Sequence, residues 1–205
     1  HWRARLQEGD VVLVLGAGSG VGAAAVEVAR QTPGVQVIAC ASTEAKRADA
    51  LRRGAHQAVA PQDLAAQVKQ TTQGRGASVV FDPVGGDLLL QALRAAAQNA
   101  QLLSVGFASG AIPAVPMNLA LVKNLTLHGF FYGRYIGWTP ADERQAFMAQ
   151  LQPVIATLLD WAARGRIHPQ VSQVFDMHEL PAALDALHGR NVTGKLALAI
   201  QGDKV

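Results

Sequence analysis

Val11-Val12-Leu13-Val14-Leu15-Gly16-Ala17-Gly18-Ser19-Gly20-Val21-Gly22 decides the fold, because an all-apolar run passes through a glycine-dense turn straight into the helical stretch Ala23 to Arg30. Apolar residues on both faces mark a strand covered by helices on each side. The glycines let the backbone turn tightly and come close to a ligand. The unpaired N–H groups and the positive dipole end of the following helix favour an anion at that point. A strand before and a helix after make this a dinucleotide fingerprint rather than an ordinary turn.

Outward from that stretch the same alternation repeats. Short apolar runs at Val35 to Cys40, Gln57 to Ala60, Ser78 to Phe81, Leu102 to Val105 and Leu125 to His128 predict five further strands. Helices are predicted over Glu44 to Arg53, Leu64 to Thr72, Leu88 to Ala97 and Met117 to Lys123 from apolar residues at helical spacing. Gly54 reads as a helix stop, and Asp63 as the cap of the helix starting at Leu64. The fold class is therefore α/β, with a doubly wound, six-stranded parallel sheet. The Gly/Ala/Pro-rich stretch Gly106 to Pro116 follows the fifth strand, where open α/β sheets place ligand loops. A long amphipathic helix is predicted from about Ala141 to Ala163, ended or kinked at Pro153. The tail from Arg166, with strands at Val171 to Phe175 and Leu196 to Ile200 around a helix at Leu180 to Leu187, reads as a small α+β return segment. The expected division is residues 1–165 and 166–205.

Composition narrows the function. The 205 residues are half apolar, and 18 basic against 15 acidic residues give a net charge of +3. No Lys/Arg run is dense enough for a nucleic-acid arm, and no stretch is long and apolar enough to span a bilayer. With no signal-peptide pattern either, the expected location is the cytoplasm. Cys40 is the single cysteine, which excludes an intrachain disulfide and a Cys-based zinc site; it reads as a small buried hydrophobe. The six histidines are scattered, and no metal site is expected.

The residues after the second strand select the nucleotide. S-adenosylmethionine methyltransferases share a similar glycine turn but usually carry an acid where this chain has Val14, and a second acid after strand two, where it has Cys40-Ala41-Ser42-Thr43. Such a second carboxylate would also bind the free ribose hydroxyl of NAD and repel a 2′-phosphate. Ser42, Thr43 and Lys46 suit that phosphate instead, through hydroxyl donors and a point charge, so NADPH is the expected cofactor. Helix capping by Thr43 and a solvated helix face for Lys46 are the plainer readings of the same residues.

These features together resemble the medium-chain dehydrogenase/reductase superfamily, and within it the zinc-free NADPH:quinone oxidoreductases, or zeta-crystallin-like reductases. The resemblance spans essentially the whole chain and rests on Leu6 to Gly22, Ser42 to Arg53, Gly54-Ala55-His56-Gln57-Ala58-Val59, Val80 to Gly86, Ser104-Val105-Gly106 and Thr193-Gly194-Lys195-Leu196. It implies a Rossmann fold whose pyrophosphate site is Gly18, Ser19, Gly20 and Val21, with Ser42, Thr43 and Lys46 at the adenosine phosphate. It further implies Val84 beside the adenine or ribose, Val105, Gly106 and Phe107 along the nicotinamide half, and Phe131, Tyr132 and Gly133 as its far wall. Asn191 and Lys195 would approach from the catalytic side. Ser19 stands where the family commonly has glycine, and Pro61 where some NADPH-dependent relatives have Tyr or His. The GroES-like catalytic domain that precedes this region in the family is expected to be missing before His1, with residues 166–205 its remnant.

The implied activity is hydride transfer from NADPH to a quinone or an α,β-unsaturated carbonyl, in a homodimer joined at the sheet edge near Leu125 to Phe131. No catalytic acid can be nominated, and Asp82 reads as fixing the turn at Pro83. Three alternatives stay open: a zinc-dependent alcohol dehydrogenase of the same superfamily, an S-adenosylmethionine methyltransferase, and a non-catalytic NADPH-sensing or assembly module.

Overall fold

The computed structural model describes residues 2–189 and 192–200. Its first half runs β1 (Val11–Val14), α1 (Gly20–Ala29), β2 (Gln36–Cys40), α2 (Glu44–Arg52), β3 (Gln57–Val59) and α3 (Leu64–Thr71). The second runs β4 (Ala77–Asp82), α4 (Gly86–Ala95), β5 (Ala96–Ser104), α5 (Met117–Lys123) and β6 (Thr126–Gly129). All pairings are parallel, and the strand order is β3-β2-β1-β4-β5-β6. Winding therefore reverses between β1 and β4, and the crevice at their carboxyl ends is the ligand position of such sheets. The expected doubly wound Rossmann sheet is the one observed.

Period-two alternation along β1 builds both faces. Val11, Leu13 and Leu15 pack with Leu64 and Val68 of α3 and Leu89 and Leu93 of α4. Val12 and Val14 point the other way, against Val26 and Ala29 of α1 and Ala50 of α2. An all-apolar strand is thus what two covered faces require. Beyond the sheet lie a 3₁₀ turn at Tyr132–Ile136, α6 (Arg144–Ala163), β7 (Val171–Asp176), α7 (Leu180–His188) and β8 (Lys195–Ala199). β7 and β8 pair in parallel around α7.

Several boundaries differ from expectation for identifiable reasons. The fourth helix stops at Ala95 and β5 starts at once, because the Lys123 ammonium donates to the carbonyls of Leu93, Arg94 and Ala96 at 2.8–2.9 Å and so satisfies the helix end. Pro153 neither ends nor interrupts α6, which is one continuous helix. Asp63 does not cap α3: its φ of 52° is left-handed and its side chain makes no capping bond. Instead the Gln67 amide folds back onto the main chain of Ala60 and Gln62. Gly54, at φ +99°, ends α2 as the sequence suggested.

Candidate functional site

The turn between β1 and α1 is held from beneath and covered from above. Leu15 N donates to Phe81 O, Ala17 N to Cys40 O and Ser19 N to Gly16 O at 2.9–3.0 Å, so the turn is fastened to β4 and to the end of β2. Ser19 is the N-cap of α1, its hydroxyl accepting from Gly22 N at 3.1 Å. The hydroxyl thus performs local capping, a role open to serine and closed to glycine.

Two lysines lie across this turn. A Cβ at Gly18 would sit 2.6 Å from Cδ of Lys46, and one at Gly20 would sit 2.5 Å from Cε and 2.8 Å from Nζ of Lys195. The missing side chains of Gly18 and Gly20 are therefore the space that the two cationic stems cross. Lys46 comes from the first turn of α2, where Thr43 is the N-cap and accepts from Lys46 N at 3.3 Å. Lys195 comes from β8, anchored beside the turn by a parallel bridge between Ser19 and Gly194. A helix N-terminus crossed by the Lys195 ammonium and the Lys46 stem has the charge and the exposed N–H donors that suit a dianionic or pyrophosphate ligand. Val21, exposed, completes the first turn of α1.

The other wall comes from β4 and β5. Asp82 is fully buried, and its Oδ1 accepts from Val84 N at 2.8 Å and Gly85 N at 2.9 Å. The turn so fixed puts Val84 Cγ2 2.7 Å from where a Cβ of Gly16 would lie, and Phe107 against Gly85. Gly106 follows, close enough to Pro83 that a Cβ would meet its carbonyl at 3.4 Å. Val105 N donates to Asp82 O at 2.9 Å. The structure therefore gathers Gly18, Ser19, Gly20, Val84, Val105, Gly106, Phe107, Lys46 and Lys195 around one crevice. Ser42 and Thr43 stand exposed at its β2 side.

The aromatic wall is looser. Tyr132 shares with Val105 an apolar cavity of about 540 Å³, lined also by Val28, Phe81, Leu103 and Leu151. Phe131 is 60% exposed and its ring covers Gly133 rather than the crevice. Asn191 lies outside the described residues.

Burial pushes the Asp82 carboxyl above the ordinary carboxylate range, with the two backbone N–H bonds opposing the shift; Oδ2 has no partner among the described residues. A carboxyl whose folded pKa is raised favours the folded state below its unfolded pKa and loses that contribution as pH rises through the folded value. Asp82→Asn keeps the Oδ1 acceptor without the titration, so urea unfolding across the acid range should show wild type losing stability relative to this variant as pH rises. A pH-independent difference would contradict the assignment. Asp82→Ala, which leaves two N–H groups unpaired, should cost about 2 kcal/mol. Cys40 is buried and its thiol pushed up to about 12 by burial, against the nearby charge of Arg47, so it is an unreactive core residue, as the sequence suggested.

Sequence reasoning passed over two features. Arg47 Nη1 donates to Ala41 O at 3.0 Å and Ser42 O at 3.3 Å, bracing the loop after β2. Arg53 joins Glu27 of α1 at 2.6 Å and Asp49 of α2 at 2.7 Å, with all three side chains only 8% exposed. Burial works against the Arg53 charge, but the hydrogen bonds and charges of Asp49 and Glu27 outweigh it and raise its pKa. The clue was Glu27 itself, an acid in the otherwise apolar run Ala23 to Ala29, which demands a buried partner.

Comparison with known proteins settles the family. Residues 20–152 match the zinc-binding dehydrogenase family model, well over half of the chain. The chain belongs to the zinc-binding dehydrogenase family. Within it, the chain falls in the quinone oxidoreductase-like group of the medium-chain dehydrogenase/reductases. It is 34% identical over 201 residues to quinone oxidoreductase-like protein 2 of Bos taurus, covering 97% of this chain and 55% of the relative. To 2-haloacrylate reductase of a Burkholderia species it is 30% identical, covering 98% of this chain and 59% of that protein. The Escherichia coli quinone oxidoreductase complexed with NADPH superposes with a TM-score of 0.80 at 26% identity, covering 95% of this chain and 58% of that one. This dehydrogenase-family chain thus spans little more than half the length of these relatives. Among its described residues no three His, Cys, Asp or Glu side chains come together to hold a metal ion, and no helix is long and apolar enough to cross a membrane.

Proposed function

We propose that this chain binds NADPH across the Gly16 to Gly22 turn and serves an oxidoreductase that reduces a quinone or an α,β-unsaturated carbonyl. The observation that carries the reading is the pair of lysines over Gly18 and Gly20 at the N-terminus of α1. Bound there, NADPH supplies a hydride to the substrate. The α1 N–H groups and Lys195 hold the pyrophosphate. Ser42, Thr43 and Lys46 take the adenosine 2′-phosphate, on a loop braced by Arg47. Val84 packs the adenosine side; Val105, Gly106 and Phe107 line the nicotinamide half, with Tyr132 and Gly133 beyond. Residues 1–165 form the cofactor domain, and 166–205 belong with a second, substrate-side domain. The parent enzyme is a dimer through the free edge of β6, where Leu127 and Phe131 are exposed.

Calorimetric titration with NADPH, NADH and S-adenosylmethionine tests the core of this reading. NADPH should bind most tightly; binding of S-adenosylmethionine alone would reject it. Lys46→Ala should weaken NADPH on the order of tenfold while leaving NADH nearly unchanged, since it removes a charge-assisted contact to a group NADH lacks. Equal losses for both nucleotides would move Lys46 away from the 2′-phosphate.

A further inference from the structure

Residues 166–170 form a strap along α1. At the helix's far end Arg166 and Gln31 exchange bonds, Gln31 Nε2 donating to Arg166 O and Arg166 Nε to Gln31 Oε1, both at 2.9 Å. One turn nearer the crevice, His168 N donates to Glu27 Oε2 at 2.7 Å. Next, Arg53 Nη2 donates to Gln170 Oε1 at 2.7 Å and Nη1 to His168 O at 3.5 Å. The strap then enters β7, and Gln170 O accepts from Lys195 N at 3.3 Å. Gly194, the neighbour of Lys195, bridges to Ser19, and a Cβ on it would lie 3.1 Å from Gln170 O and 3.7 Å from Arg53 Nη2. A continuous line of bonds thus joins the buried Glu27–Arg53–Asp49 cluster to the backbone from which Lys195 reaches Gly20.

We infer that Arg53 is a positioning residue for Lys195, fixing through Gln170 the place at which the Lys195 ammonium crosses the phosphate-binding turn. The physical need is clear. Lysine is a point charge on a long flexible stem, and it contributes to binding only where its root is held. Among the described residues β8 pairs with β7 alone, not with the main sheet, and the strap and the Ser19 bridge tie it beside α1. Arg53 suits the task because its planar guanidinium is locked by two carboxylates on two helices and still presents Nη2 to Gln170.

This inference rests on the NADPH reading, and nucleotide fluorescence titration separates the two. The variants are Lys195→Gln, Gln170→Ala and Arg53→Lys, alone and with Lys195→Gln. Lys195→Gln should weaken NADPH on the order of tenfold and flatten the salt dependence of binding. Gln170→Ala and Arg53→Lys should each weaken NADPH several-fold with the same flattening, and cost little further in the Lys195→Gln background. Gln170 is exposed and its truncation leaves the Glu27–Arg53–Asp49 cluster intact, so this variant decides the matter if Arg53→Lys fails to fold. Losses that persist undiminished in the Lys195→Gln background, unchanged salt dependence, or full affinity in Gln170→Ala would overturn the positioning role. Wild type that binds no NADPH would instead reject the cofactor reading, and the inference with it.

Discussion

Gly22→Ala is expected to abolish nucleotide binding and to destabilise the fold by about 3 kcal/mol, at the upper end of ordinary overpacking. A Cβ at Gly22 would lie 2.2 Å from Gly16 O, 2.7 Å from Gly16 C and 2.8 Å from Ala17 Cα. All three atoms are backbone, so no rotamer change relieves the clash. Nor can the turn shift, because Ala17 N is bonded to Cys40 O and Leu15 N to Phe81 O. Either α1 lifts from the sheet, exposing Val26 and Ala29, or the turn opens and its N–H groups lose their common aim. Gly18→Ala is the milder case: the three atoms nearest its Cβ are Cδ, Cγ and Cβ of Lys46 at 2.6–2.8 Å, a side chain rather than the turn's own backbone, so binding should weaken with a smaller loss of stability than in the Gly22 variant. In thermal unfolding the Gly22 variant should melt about 6–12 °C below wild type, at roughly 2–4 °C per kcal/mol for a domain of this size. Wild-type melting would show that α1 is not pressed against the turn.

Legibility in the sequence followed the range of the interactions. The strand–turn–helix at Val11 to Arg30 was readable because strand burial, glycine placement and helix start are all local, and the doubly wound parallel sheet then followed from alternation of elements. Asp82 was readable for the same reason, since its bonds reach only two and three residues ahead. The end of α4 was not, because it is set by Lys123, which lies 27–30 residues from the carbonyls it satisfies. Pro153 misled because its cost is a lost bond and a clash in one turn, which a helix of 20 residues absorbs. Of the residues the sequence nominated, the structure brings Lys46 to Gly18 and Lys195 to Gly20 of the turn. Its support was missed because Glu27 and Arg53 are 26 residues apart, and Arg53 and Gln170 are 117 apart. No periodicity encodes a pairing at such separations; a buried acid in an apolar helix face was the available hint.

Glu27→Ala is the second large effect, expected to cost about 3 kcal/mol. Its two oxygens serve different partners: Oε1 accepts from Arg53 Nη1, and Oε2 from His168 N. Removing them leaves a guanidinium in a site 8% exposed with Asp49 as its remaining carboxylate, and takes away the strap's bond to Glu27 while the Arg166–Gln31 bonds remain. Breaking a buried pair by deleting one partner costs about 3–5 kcal/mol, because the surviving charge stays desolvated; the retained Asp49 bond places this case at the lower end. The Arg164–Asp160 pair offers the contrast. Its side chains are 71% and 49% exposed, and Asp160→Ala should change stability by about 0.5 kcal/mol or less. Denaturant unfolding of both variants, with hydrogen exchange at the His168 amide, reads the difference. Glu27→Ala should unfold at markedly lower denaturant and lose protection at His168, while Asp160→Ala does neither. Equal effects would mean that the Glu27–Arg53 bond is no stronger than a solvated pair and that the strap is held by other contacts.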